Sequence, residues 1–324
     1  MEFLNGFEQS SIDKAVEILK KGDVVAFPTE TVYGLGADAL NPYAVAKIFE
    51  VKKRPKFDPL IVHIGERGWI SAIGDYIPPE AEKLIDRFWP GPLTLILKKK
   101  VVIPDIVTAG LPTVAVRMPS HPVALQLIRN FNNPIAAPSA NPFGYISPTN
   151  AQHVAKMLGE GVPLILDGGS SNYGIESTIV SFNEGKTYLH RHGAISIEEL
   201  STTVGPVYEK EKNSACEAPG QLPYHYAPIK PLKIIHSIDE IHDIKSSFLA
   251  FREPPETPIS KYVKVLSITG DMREAAANFF SYLIELDRDD VDIIYAENIP
   301  EAGLGKAMME RLMKASKKYR YITH

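Results

Sequence analysis

Between Val24 and Arg191 short apolar runs alternate with segments that open on a proline or a capping side chain, and this alternation leaves few folds open. Val24-Val25-Ala26-Phe27, Leu60-Ile61-Val62-His63-Ile64, Leu93-Thr94-Leu95-Ile96-Leu97, Val114-Ala115-Val116-Arg117, Ile135-Ala136-Ala137 and Leu164-Ile165-Leu166 have the length of buried strands. Thr178-Ile179-Val180 and Tyr188-Leu189-His190-Arg191 read the same way. Asn41-Pro42 joins a capping side chain to proline at the first helical position. Helices are also expected after Pro78-Pro79, after His121-Pro122 and from Ser147-Pro148. Ser11 is expected to cap a helix carrying Ile12, Ala15, Val16 and Leu19, with Gly22 ending it. The pattern predicts an α/β domain built on a twisted mixed sheet over residues 1–205.

The texture changes near Gly205-Pro206. Residues 206–231 are rich in proline and aromatics, including Pro219-Gly220 and Tyr224-His225-Tyr226. They read as a linker that docks on a surface, because a free spacer has no need of aromatic rings. Residues 232–324 read as a smaller α/β unit. Its strands are expected near Leu232–Ile235, Ser247–Phe251, Val263–Leu266 and Asp292–Tyr295, and its helices over 271–286 and 303–318.

Composition excludes several classes. Of 324 residues, 44% are hydrophobic, yet no apolar run is long enough to span a bilayer, and the N-terminus lacks a signal-peptide pattern. No membrane role is expected. Cys216 is the one cysteine, which excludes an internal disulfide and a cysteine zinc site and points to the cytoplasm. The formal net charge of -4 argues against a nonspecific polyanion binder, while a local basic patch leaves room for contact with RNA.

The polar residues set into this framework carry the chemistry. Phe27-Pro28-Thr29-Glu30-Thr31-Val32-Tyr33-Gly34-Leu35-Gly36 comes first, then Lys52-Lys53-Arg54, Asp58-Pro59-Leu60 and His63. Thr113, Arg117, Ser139-Ala140-Asn141 and Glu176-Ser177-Thr178 follow. Lys52 and Arg54 end a helix, where cations are commonly just solvated. They can also converge on a triphosphate, as a point charge and a planar fork. His63 and Arg117 sit at strand ends, where α/β ligand sites form, and a cation there needs an anion or solvent. Ser139-Ala140-Asn141 can be a plain turn or a holder of phosphate and ribose oxygens. Asp167-Gly168-Gly169 reads as a turn whose glycine permits close backbone approach. No phosphate loop, nucleophile triad or dinucleotide fingerprint is present. What remains is catalysis by positioning and by neutralising phosphate charge, usually with Mg2+.

Together these segments resemble the YrdC-like threonylcarbamoyl-AMP synthases over residues 8–203. The Pro219-Gly220 to Pro228 linker and the unit after it resemble the long, two-domain form of that family. The resemblance implies a YrdC-like catalytic domain followed by a smaller Rossmann-like domain. It also implies that L-threonine, bicarbonate and ATP give threonylcarbamoyl-AMP and pyrophosphate, with Mg2+ carried on ATP and not by protein side chains. The product would pass to a tRNA threonylcarbamoyl-transfer complex. By the family pattern Thr31, His63, Arg117 and Ser177 would hold threonine or its carbamate. Lys52 and Arg54 would be catalytic and, with Asp58, Thr113, Ser139, Asn141, Ser147 and Arg191, would surround ATP. Tyr224 and His225 of the linker would close over the nucleotide. The family often has asparagine or serine where Asp58 stands, and serine where Ala218 stands. A double-stranded RNA-binding, translation-associated module is the alternative from another class. A carbamoyl-transfer domain of a hydrogenase-maturation enzyme is a third reading, and the missing acylphosphatase and zinc-finger segments argue against it.

Overall fold

Alternating burial explains why the first two hundred residues become strands packed on both faces. The structure, a computed structural model, describes residues 1–210, 219–220, 225–255 and 259–318, which group into two units. In the first unit the strands are β1 (Glu2–Asn5), β2 (Val25–Phe27), β3 (Gly34–Asp38), β4 (Ile61–His63), β5 (Leu93–Lys98) and β6 (Thr113–Arg117). Then come β7 (Ile135–Ala136), β8 (Leu164–Asp167), β9 (Thr178–Asn183), β10 (Lys186–Arg191) and β11 (Val207–Glu209). They form one mixed sheet in the order β1-β8-β2-β3-β7-β4-β6-β5-β9-β10-β11. Its helices are α1 (Gln9–Lys20), α2 (Pro42–Lys52), α3 (Ile70–Ile73), α4 (Pro79–Phe88), α5 (Asp105–Thr108), α6 (Pro122–Phe131), α7 (Ala151–Leu158) and α8 (Ile197–Val204).

One face of the sheet carries the main core. Ala26, Leu35, Val62, Leu95, Val116, Ala136 and Val180 pack there with Val45 and Ile48 of α2 and Leu84 of α4. The other face is divided. Val25, Phe27, Ile135, Leu164 and Leu166 lie under α1 and α6. Further along, Ile61, Ile96, Ala115 and Ile179 form a separate small apolar cluster. Side chains alternate along a strand, so His63, Thr94, Arg117 and Ser177 share that second face with the small cluster. β4 and β6 run parallel, while β5 pairs antiparallel with β6 and parallel with β9. The C-terminal ends of β4 and β6 therefore meet the N-terminal ends of β5 and β9 at one edge.

Asn41 caps α2 as the sequence indicates, accepting from the Tyr43 and Ala44 backbone N–H groups. Two start signals are corrected. Ser11 lies inside α1, which begins at Gln9 with Glu8 as its cap residue, so its hydroxyl is buried on the helix and caps nothing. Ser147-Pro148 precedes an extended stretch, and α7 starts at Ala151, capped by the Asn150 side chain on the His153 N–H. The boundary expected at 205 also moves: β11, in the segment read as linker, pairs in parallel with β10 and extends the first sheet.

In the second unit β12 (Leu232–Ile235), β13 (Ser246–Ala250), β14 (Tyr262–Val265) and β15 (Ile293–Glu297) form a parallel sheet ordered β12-β15-β13-β14. α9 (Met272–Leu286) and α10 (Leu304–Lys317) are the helices expected there. The end of the segment read as linker is built into this unit. Asp287 accepts from the Ile229 and Lys230 N–H groups, and Tyr226 stacks on Phe280 with ring centroids 5.7 Å apart. No helix among the described residues is long and apolar enough to cross a membrane.

Candidate functional site

Arg117 ends β6 and is 3% exposed, so its charge needs an internal partner. Glu30 supplies it: one carboxylate oxygen accepts from Arg117 Nη2 at 2.7 Å and the other from the Ser120 N–H at 3.1 Å. Arg117 Nη1 donates to Thr31 Oγ1 at 2.9 Å, and Nε donates to the Gly91 carbonyl at 3.3 Å. Thr29 shapes the same loop. Its hydroxyl donates to the Val32 carbonyl at 2.6 Å and accepts from the Thr31 and Val32 N–H groups. The Thr29 and Thr31 hydroxyls lie 2.8 Å apart. Arg117 thus holds one lone pair of the Thr31 hydroxyl.

His63 pairs in register with Arg117 across β4 and β6. It is 4% exposed, and its Nδ1 has no hydrogen-bond partner among the described residues. Burial, then the nearby Arg117 charge, pushes its pKa down to about 3. It is therefore a neutral imidazole at neutral pH. The unfolded chain binds this proton near 6.5, so between 6.5 and about 3 it holds more proton than the native state. The stabilisation is fully present above 6.5 and is lost as pH falls through that window. Chemical denaturation between pH 6.5 and 5 should show stability falling in the wild type and falling less steeply in His63→Gln. Parallel slopes would contradict a neutral buried His63.

The cations form the next part of the network. Lys52 is not a solvated helix end: it is 1% exposed, and its ammonium donates to the carbonyls of Ser139 and Asn141. Burial, then the Arg54 charge, pushes its pKa down. Arg54 donates to the Asp58 and Pro59 carbonyls and pairs with the Asp58 carboxylate at 2.8 Å. This gives the acidic residue at 58 a role: it balances Arg54. Burial raises the Asp58 pKa, opposed by Arg54, Lys52 and Arg191. Arg191, at the end of β10, donates to the Ser177 carbonyl and hydroxyl, each at 3.0 Å, and to the Pro219 carbonyl at 3.2 Å. Ser177 Oγ lies 2.8 Å from Thr94 Oγ1.

The structure thus brings together Thr31, Lys52, Arg54, Asp58, His63, Arg117, Ser139, Asn141, Ser177 and Arg191 of the first unit. Thr113 begins β6 while Arg117 ends it, about 13 Å away at ~3.3 Å per residue, which sets Thr113 at the end of the sheet where β4 follows the Asp58–Pro59 segment bonded by Arg54. Ser147 and His225 group with the second unit. Tyr224 and Ala218 lie outside the described residues. Sequence reasoning assigned no role to Glu30, Thr94 or Gly193. The signals were a carboxylate between two threonines and a hydroxyl inside Leu93–Leu97 on the Ile96 face. Gly193 has none in the sequence: a Cβ there would enter the backbone of Ser177 and Thr178 and the Glu176 carbonyl. Gly193→Ala should cost about 1–3 kcal/mol of stability through backbone displacement, read as a lowered urea midpoint. An unchanged midpoint would mean that this contact relaxes freely. The Asp167–Gly169 turn behaves as expected, with Gly168 against Pro28 and His121, and with Tyr33 Oη donating to the Gly169 carbonyl at 2.7 Å.

Two family models match the chain. A family model described as "Telomere recombination" matches residues 17–193, and one described as "Threonylcarbamoyl-AMP synthase, C-terminal domain" matches residues 195–317. A threonylcarbamoyl-AMP synthase of Pyrococcus abyssi is 43% identical over 328 residues, covering 95% of this chain and 95% of its own. One from Bacillus subtilis is 42% identical over 320 residues, covering 94% of this chain and 92% of its own. The crystal structure of P. abyssi Sua5 complexed with L-threonine superposes with a TM-score of 0.91 at 39% identity, covering 98% of both chains.

Proposed function

The chain belongs to the threonylcarbamoyl-AMP synthase family, and from that premise we propose that Thr31, His63, Arg117 and Ser177 receive L-threonine beside an ATP site held by Lys52, Arg54, Ser139, Asn141 and Arg191. The enzyme converts L-threonine, bicarbonate and ATP to threonylcarbamoyl-AMP and pyrophosphate, for threonylcarbamoyladenosine in tRNA. One observation carries the assignment of residues: Lys52, Arg54 and Arg191 are buried cations of the first unit, and Arg117 is buried on Thr31 and Glu30.

The threonine amine and bicarbonate give a carbamate, with loss of an amine proton and water. A carbamate oxygen attacks the α-phosphate; the new O–P bond forms as the bond to the β-phosphate oxygen breaks and pyrophosphate leaves. The substrates supply nucleophile and leaving group, so the protein's part is placement and charge. Arg117 meets the amino-acid carboxylate. Lys52 uses two of its three donors on backbone carbonyls, and the third is directed to phosphate oxygen. The Asp58 carboxylate is engaged by Arg54, and Mg2+ would come with the ATP phosphates. Pro219, reached by Arg191, supports the reading of 206–231 as a segment that closes over the nucleotide. The product passes in the cytoplasm to the machinery that transfers it to tRNA.

The test is pyrophosphate release from ATP. It should require threonine and rise with bicarbonate. Release that is indifferent to threonine would overturn the proposal, and salt-sensitive binding of duplex RNA without turnover would favour the RNA-binding alternative.

A further inference from the structure

Where β10 pairs with β9 it carries one residue more than its partner, and the surplus falls beside Arg191. Leu189 lies opposite Val180 and Arg191 opposite Ile179, so His190 is the extra residue of a β-bulge. The contacts on either side hold it there. Upstream, Tyr188 lies opposite Ser181; downstream, the Ala194 N–H donates to the Glu176 carbonyl at 3.0 Å. Gly193 is pressed against the Ser177 and Thr178 backbone, where a Cβ would come within 2.4 Å. Side chains alternate along a regular strand. Leu189 belongs to the main core, so regular pairing would set Arg191 opposite Thr178 and point it into that core. A guanidinium among those apolar side chains is costly. The bulge instead puts His190 and Arg191 together on the face of Ile179. Arg191 thereby reaches Ser177, donating to its carbonyl and hydroxyl, while His190 Nε2 lies 2.7 Å from Ser181 Oγ.

We propose that His190 is a positioning residue for Arg191. As the extra residue of the bulge it turns the guanidinium from the core face to the site face, and its bond to Ser181 pins the bulge in place. The inference rests on the reading of Arg191 as part of the ATP site. Strict alternation from Leu189 would take Arg191 out of that site, so the irregularity is what admits it. Ser181 is the anchor, two residues along β9 from Ile179 and on the same face. His190 touches no substrate; it acts through Arg191.

Isothermal titration of the full chain with ATP and Mg2+ tests this. Arg191→Ala should weaken ATP binding by about tenfold or more, as for a lost contact to a charged group. His190→Ala and Ser181→Ala should each weaken it about threefold to tenfold, as for one hydrogen bond. The two together should cost no more than either alone, because both remove the same contact. His190→Gln, whose amide can reach Ser181 as donor or acceptor, should stay within about twofold of the wild type. In an Arg191→Ala background His190→Ala should add nothing, which a merely structural loss would not reproduce. His190 and Ser181 are half-buried, so these variants leave the core intact. Wild-type affinity in His190→Ala or in Ser181→Ala would overturn the proposal. So would His190→Gln as weak as His190→Ala, or a further loss from His190→Ala on top of Arg191→Ala. If His190→Ala does not fold, Ser181→Ala reads the same contact, and wild-type affinity there overturns the proposal equally. Absence of ATP binding by the wild type would instead overturn the functional reading itself.

Discussion

Arg117→Met is expected to abolish threonine-dependent pyrophosphate release and to destabilise the protein, and adding Glu30→Gln is expected to return the stability without the activity. The two residues are 3% and 4% exposed and bonded at 2.7 Å. Removing one member of a buried pair strands the other, at a cost of about 3–5 kcal/mol. Glutamine at 30 carries no charge to strand, and its oxygen can still accept from the Ser120 N–H that Glu30 now holds. Activity follows different logic. The substrate carboxylate needs the guanidinium, so the double variant should regain its urea midpoint and remain inactive. Turnover in Arg117→Met would remove Arg117 from the site. A double variant no more stable than Arg117→Met would mean that the pair is not what stabilises this corner.

Lys52→Met should be the second severe change, and it should damage fold and function together. Read from sequence, a lysine at a helix end is a residue whose loss the structure tolerates. In the structure its ammonium ties the end of α2 to the Ser139 and Asn141 carbonyls. Losing it removes a donor from two carbonyls, at about 1–3 kcal/mol each. It also removes a charge directed at phosphate, worth roughly tenfold to a hundredfold in binding. The urea midpoint without ligand and the ATP affinity separate the two effects. An unchanged midpoint would deny the anchoring role, and unchanged ATP affinity would deny the phosphate role.

Much of this was legible in the sequence, for identifiable reasons. Asn41-Pro42 is a local signal and it placed α2 correctly. The apolar runs placed strands because burial on both faces selects them. Ser11 and Ser147 misled because a capping residue acts only where the chain turns into the helix, and neighbouring Glu8 and Asn150 hold those places. The order of the strands was out of reach. β2 lies between β3, whose Gly34 follows its partner Phe27 by seven residues, and β8, more than a hundred residues later, and no local pattern encodes the second pairing. The same limit hid the partners in the site. That Arg117 needed an anion was evident; that the anion is Glu30 depends on the fold bringing residues 87 positions apart together.

The strand order also has a consequence for how the protein is made. β2 pairs with β8 through Val25↔Leu164 and Ala26↔Ile165, and β1 pairs with the same strand through Glu2↔Leu164 to Asn5↔Asp167. A ribosome adding about 5–20 residues per second needs roughly 7–28 s to synthesise the intervening chain. Throughout that interval one long edge of β2 has no strand to join, and apolar Val25 and Phe27 await the neighbours Leu164 and Leu166 that share their cluster. The growing chain is therefore most exposed to mispairing and to capture by other nascent chains before β8 emerges, and the hazard ends with the synthesis of a single four-residue strand.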